Sequence, residues 1–308
     1  MEEKKFDVQS IIGFVLIFGI LIFMFYQNRP TPEELAAEKA KQEQVEAAKA
    51  SENLETETVG NNEPQLDLQD STAVANYQGK LGAFGFTKPS NDITTLENDV
   101  LLLKISNKGG QIVEAKMKQY VTYDSVPVYL VKDGNASFAL DFSTSDNRVL
   151  NTADLYFEPS MSNDNGNQVL SLKAKTSNNQ YLEYRYVMKP NDYLVDFMIK
   201  SNGLDNVIST SKPVTLDWKL KGIRHSKSIQ YENRYTRLTY NHEDGKNSKL
   251  SEGSDDEETE EDIKWISYRQ HFFSSILAAD VPFKNGDLTS VNLVEEESRT
   301  CLLYTTDA

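Results

Sequence analysis

The chain has 308 residues, of which 39% are hydrophobic and 10% aromatic, and it carries a net charge of −15. That charge excludes nucleic acid or an anionic lipid surface as the main partner, since both are held through basic patches. One cysteine, Cys301, excludes a disulfide within the chain and gives no sign of the redox compartment.

Residues 1–7 form a short charged tail, after which 11–26 read IIGFVLIFGILIFMFY without a charge. Twelve of these sixteen residues are Ile, Val, Leu or Phe. At their usual insertion energies they favour a membrane-inserted helix by about 5 kcal/mol. As a helix the run rises about 24 Å, slightly less than a bilayer's hydrocarbon core. The span is therefore drawn as residues 8–27, with Val8 and Gln27 at the interfaces. Ile12, Phe14, Leu16, Ile20, Phe23 and Tyr26 are the expected anchor residues. A cleaved secretory signal is the competing reading, because Lys4 and Lys5 precede the run. Two details favour a retained anchor: the run exceeds an ordinary signal core, and the first small-residue pair, Ala36-Ala37, lies ten positions past its end. Lysine and arginine are nearly balanced across the span, so charge alone leaves its orientation open.

Residues 28–90 turn to Glu, Ala, Lys, Gln, Asn and Ser, the composition of a polar linker. Its first part, 33–54, is rich in helix formers and carries the pairs Glu38 with Lys41 and Glu46 with Lys49, yet shows no apolar stripe. A partly helical, solvated spacer is expected, ending where Gly60, Asn61, Asn62 and Pro64 break the helix.

From 91 to 294 the apolar period becomes two. Val113, Ala115 and Met117 alternate with Glu114, Lys116 and Lys118, giving one buried and one wet face. The same alternation marks Phe138, Leu140 and Phe142, then Leu170, Leu172 and Ala174. Two aromatic-rich runs, 181–188 and 193–199, flank Lys189-Pro190-Asn191-Asp192 and predict a hairpin. Further strands are expected at 100–105, 126–131, 214–220, 230–240, 265–278 and 288–294. With no long helical pattern between them, the fold class is mainly β, an antiparallel sandwich rather than a parallel α/β sheet.

Specific blocks accumulate within this region. Ser106-Asn107-Lys108-Gly109-Gly110-Gln111-Ile112 is followed by Met117 and Tyr120. Leu216-Asp217-Trp218 precedes Arg237-Leu238-Thr239-Tyr240, and Lys264-Trp265-Ile266-Ser267 precedes Gln270-His271-Phe272-Phe273. Gly109 and Gly110 supply the backbone freedom of a tight turn, and Ile112 begins the return strand. In this order, behind a charged tail, an anchor and a polar linker, the blocks resemble the N-terminal half of the YidC membrane protein insertase family. The resemblance covers most of 1–294, and its signature residues here are Gly109, Gly110, Ile112, Tyr120, Trp218, Trp265, Phe272 and Phe273.

The resemblance implies a cytoplasmic tail at 1–7, a signal anchor in the bacterial inner membrane, and a periplasmic domain at 91–294 folded as a mutarotase-like antiparallel β-supersandwich. It implies as partners the lipid bilayer, Sec translocon components and nascent membrane proteins. The family's insertase activity resides in a further bundle of transmembrane helices, for which the resemblance offers no counterpart here. Residues 295–308 depart from the family pattern and are expected to be a truncated end. The expected function is that of the N-terminal part of an insertase, assisting insertion, folding and assembly of membrane proteins alone or with the Sec translocon. A stand-alone anchored β-sandwich binding sugars or envelope polymers is the alternative.

Chemistry-bearing residues are few. His225, His242 and His271 share no local motif, and scattered histidines in a β domain are mostly packing or surface residues. The run 251–262, SEGSDDEETEED, holds eight carboxylates but not the spacing of a calcium loop, and is expected to be a solvated loop between strands. Asn135-Ala136-Ser137 fits a glycosylation triplet, a weak signal. No glycine-rich phosphate loop, Cys/His metal spacing or nucleophile elbow is present, so no catalytic residue, cofactor or metal ligand is assigned.

Overall fold

Alternating side chains become paired strands in the computed structural model, which describes residues 67–293 and 300–307. The chain divides into two units, Met1–Glu57 and Thr58–Ala308, and the described residues all belong to the second. The expected anchor residues lie outside them. Among the described residues no helix is long and apolar enough to cross a membrane.

The first element is helix α1 (Ser71–Leu81). The Asp70 carboxylate caps it, accepting from the Thr72 and Ala73 N–H groups at 2.8 and 3.2 Å. A 3₁₀ turn, Gly82–Phe86, follows. Leu81 and Phe84 are buried, Phe84 packs edge-to-face on Phe142 at 5.4 Å, and the Tyr77 hydroxyl donates to the Asp154 carbonyl. Residues 71–90 therefore belong to the folded body rather than to the linker. A few anchoring side chains fasten an otherwise polar segment, so its composition conceals the packing.

Three antiparallel sheets follow. The first runs in order through β1 (Ile93–Glu97), β2 (Leu101–Ser106), β3 (Ile112–Val121) and β4 (Pro127–Val131). Next come β5 (Ala136–Ser143) and β6 (Val149–Asn151), which join the third sheet. The second sheet is the meander of β7 (Glu158–Asp164), β8 (Asn167–Lys175), β9 (Tyr181–Met188) and β10 (Val195–Asn202). The expected hairpin is β9–β10, with Met188 opposite Val195.

Then come β11 (Thr215–Ile223), the short helix α2 (Ile229–Asn233), β12 (Arg237–His242), β13 (Lys246–Lys249), β14 (Asp256–Arg269), β15 (Ser274–Asn292) and β16 (Thr300–Asp307). The third sheet has the order β13-β12-β14-β15-β16-β11-β5-β6.

Buried residues from all three sheets meet in one cluster that includes Leu103, Ile105, Phe142, Leu172, Tyr184 and Leu216. In β9 the alternation is complete, with Leu182, Tyr184, Tyr186 and Met188 inside. A second cluster, including Leu220, Leu238, Tyr240, Ile266, Tyr268 and Leu288, fills the β11–β15 part of the third sheet.

Four expectations are corrected. Residues 230–240 are not one strand: Ser228 caps a helical turn by accepting from the Tyr231 N–H, and β12 starts only at Arg237. Nor are 265–278 one strand, because Gln270–Phe273 is the turn between β14 and β15, closed by a 2.8 Å bond from the Gln270 N–H to the Phe273 carbonyl. Without Gly, Asn or Pro, that turn reads as strand interior.

The acidic run is not a loop throughout. Residues from Asp256 onward form the first half of β14, paired with β15 from Asp256 opposite Ser290 to Glu261 opposite Asn285. Most of its carboxylates point to water, and Thr259 donates across the ladder to Asp287 at 2.7 Å. Finally, 300–307, within the stretch expected to be a divergent end, forms an inner strand, β16, paired on both sides.

The glycosylation triplet also has a structural role. Asn135 is buried, donates to the Leu130 and Lys221 carbonyls at 3.0 and 2.9 Å, and accepts from the Lys132 N–H at 2.7 Å. It ties the β4–β5 turn to β11. Asn135→Ala strands three backbone groups and is expected to destabilise the domain by about 3 kcal/mol in denaturant unfolding; a loss below about 1 kcal/mol would assign the tie to the backbone alone.

Candidate functional site: an aromatic cleft at the hairpin tips

Three turns and α2 converge on one open cleft of about 890 Å³. The end of β3 contributes Tyr120 and the β3–β4 turn Tyr123, that turn being closed by a 2.8 Å bond from the Thr122 N–H to the Val126 carbonyl. The β9–β10 turn brings Tyr193, α2 brings Tyr231, and the β14–β15 turn brings His271, Phe272 and Phe273.

The rings form a connected wall. Phe273 meets Tyr120 edge-on at 5.2 Å and His225 at 5.5 Å. His271 stacks on Tyr235 at 4.5 Å and meets Tyr231 edge-on at 5.1 Å. Tyr123 lies under the Arg224 guanidinium at 5.2 Å. Phe272 is 66% exposed, and Tyr120, Tyr123, Tyr193 and Tyr231 are also exposed.

Two phenols of this wall are shifted upward from their ordinary range. Partial burial, with the neighbouring Tyr120 hydroxyl, pushes Tyr193 above the usual phenol range. The hydrogen bond with Tyr235 and that hydroxyl's charge do the same for Tyr231. The cleft offers ring faces and hydroxyls, with Lys227 also in its lining, and suits apolar or ring-bearing ligands.

Behind the wall, the buried Glu232 carboxylate accepts from the His225 N–H at 2.9 Å and the Ser226 N–H at 2.7 Å. The His225 ring contacts the Tyr129 carbonyl at 2.9 Å and sits 3.7 Å from Glu232. With side chains 2% and 0% exposed, His225 and Glu232 hold the 225–228 loop in place.

The signature residues separate into three places. Tyr120, Phe272 and Phe273 share the cleft. Gly109 and Gly110, both at positive φ, and Ile112 form and leave the β2–β3 turn; the Gly110 carbonyl accepts from the Tyr186 hydroxyl at 2.8 Å. Trp218 packs on Tyr268 at 4.2 Å, and Trp265 lies half-buried in β14 opposite Ala278. His242 is not among the residues that line the cleft and instead approaches Glu260 and Glu243. Sequence reading missed Tyr123, Tyr193, Tyr231 and Tyr235; the available signal was the placing of tyrosines at turns, where a buried role is not expected.

The structure is thus an all-antiparallel β domain that gathers exposed rings near its hairpin tips. The family model of the YidC periplasmic domain matches residues 93–304, and the chain belongs to that family. It is 35% identical to the membrane protein insertase YidC of Parabacteroides distasonis, over 94% of this chain and 47% of that protein. It is 33% identical to the insertase of the same name from Porphyromonas gingivalis, over 92% of this chain and 45% of that protein. The chain thus spans about half the length of the curated relatives it matches. Among solved structures it is similar to a putative aldose 1-epimerase from Escherichia coli K12, with a TM-score of 0.41 and 10% identity over 70% of this chain and 87% of that one.

Proposed function

We propose that this chain is the anchor and periplasmic part of a membrane protein insertase, in which residues 8–27 hold it in the inner membrane and the β domain receives segments of client proteins. The family match over residues 93–304 carries this reading, together with relatives named as insertases along more than nine-tenths of the chain. The task of such a protein is to lower the cost of moving polar flanks through a bilayer, about 2.5 to 3.5 kcal/mol per central charge on the translocon scale. The aromatic cleft is the part of the β domain suited to hold an extracytoplasmic segment, with the Sec translocon as a neighbour.

The test is site-specific photocrosslinking in membranes, with a photoreactive phenylalanine at Phe272 and, as an exposed control, at Val149. Adducts to nascent membrane proteins or translocon subunits are expected at Phe272 and not at Val149; equal labelling at the two would remove the cleft from the reading. Residues 1–308 alone are expected not to rescue cells depleted of their insertase, and rescue would place the activity in this chain.

The ring-lined cleft also favours a second reading, binding of sugars or envelope polymers by stacking. It predicts saturable glycan binding that falls on Tyr123→Ala or Phe272→Ala.

A further inference from the structure

The turn that joins β12 to β13 brings a second, chemically different group of side chains together. The imidazole of His242, with its side chain 8% exposed, places Nδ1 2.7 Å from Oε2 of Glu260, yet that nitrogen makes no directed hydrogen bond. Glu243 supplies a second carboxylate, and the donor atoms of the three residues lie within 4.8 Å of one another. We propose that His242, Glu260 and Glu243 form a binding site for a divalent transition-metal cation of the borderline class represented by Zn²⁺.

Two features distinguish this group from an acidic surface. First, Nε2 of His242 lies 2.9 Å from the Ser248 hydroxyl oxygen. An N–H on Nε2 donating to that oxygen leaves the lone pair on Nδ1, directed at the carboxylates. Ligating histidines are commonly fixed in this way through their second nitrogen. Second, Glu260 is also oriented, since its Oε1 accepts from the buried Tyr240 hydroxyl at 3.0 Å while Oε2 faces His242. The cation paired with Glu243 is Lys246, whose side chain is 67% exposed, so the pair lies at the surface and not in the core. One imidazole and two carboxylates suit Zn²⁺, Co²⁺ or Ni²⁺ better than Ca²⁺, which prefers an all-oxygen shell of six to eight ligands.

The rival is a proton shared between His242 and Glu260. The two separate in a cobalt titration of the full-length, untagged chain in detergent after metal stripping. The result expected is one equivalent of saturable Co²⁺ binding with visible ligand-field absorption, displaced by Zn²⁺. Co²⁺ affinity is expected to drop at least tenfold in His242→Ala and in Glu260→Gln, and about tenfold in Ser248→Ala, the loss usual for an outer-shell partner. Glu243→Gln, at a carboxylate 52% exposed, is expected to weaken binding severalfold and reads the site even if the buried variants misfold. His225→Ala and His271→Ala are expected to bind as the parent does. Absence of saturable Co²⁺ binding, or unchanged affinity in Glu243→Gln and the folded His242 or Glu260 variants, would overturn the proposal in favour of the shared proton.

Discussion

Replacing Gly110 with alanine is expected to destabilise the β domain by about 4 kcal/mol and lower its melting temperature by about 10 °C. Gly110 has φ +64°, where an added Cβ costs about 1 to 2 kcal/mol in backbone strain. That Cβ would also stand 2.9 Å from the Tyr184 ring and 3.3 Å from the Phe157 ring. Neither ring can retreat easily, since Tyr184 packs between Phe157 at 4.9 Å and Phe197 at 5.3 Å. Overpacking of this kind adds roughly 1 to 3 kcal/mol. Gly166, at φ +87° with nothing within 4 Å of its added Cβ, provides the control. Gly166→Ala is expected to lose only the strain part, about 1 to 2 kcal/mol. Thermal unfolding of the two variants side by side checks the argument, and equal losses would mean that the packing around Gly110 is looser than its contacts imply.

The second large effect is expected at Glu232, whose buried carboxylate holds the backbone of His225 and Ser226. Glu232→Ala leaves two N–H groups without their charged acceptor, at about 1.5 to 3 kcal/mol each, for a total near 4 kcal/mol. Glu232→Gln keeps one acceptor oxygen and is expected to lose about half as much. Because the 225–228 loop forms one wall of the cleft, amide exchange at Ser226 to Ser228 should accelerate in both variants by more than global unfolding explains. Exchange that tracks only the global stability would show that the loop is held by its side chains instead.

Much of the fold was legible because its signal is local. Strand β9 alternates inside and outside at every residue, so Leu182, Tyr184, Tyr186 and Met188 mark one face without reference to any partner. The β9–β10 hairpin was legible too, since Pro190 and Asn191 punctuate it in sequence. The turn at Gln270–Phe273 was not, because its stability comes from bonds such as the one from the Gln270 side chain to the Ile223 carbonyl, 47 residues away. The acidic half of β14 was hidden for a related reason. Like charges argue for a loop unless a partner strand supplies the ladder, and β15 does.

The sequence by itself determined the antiparallel β class, the strands whose apolar residues alternate, and the block order that marks the family, since each depends on residues near one another in the chain. Only the tertiary structure decided that α1 and β16 belong to the folded body, that Tyr120, Tyr193, Tyr231 and Phe272 share one cleft, and that His242 meets Glu260. Those outcomes depend on pairing between distant segments, and local periodicity carries no record of which strand will lie beside which.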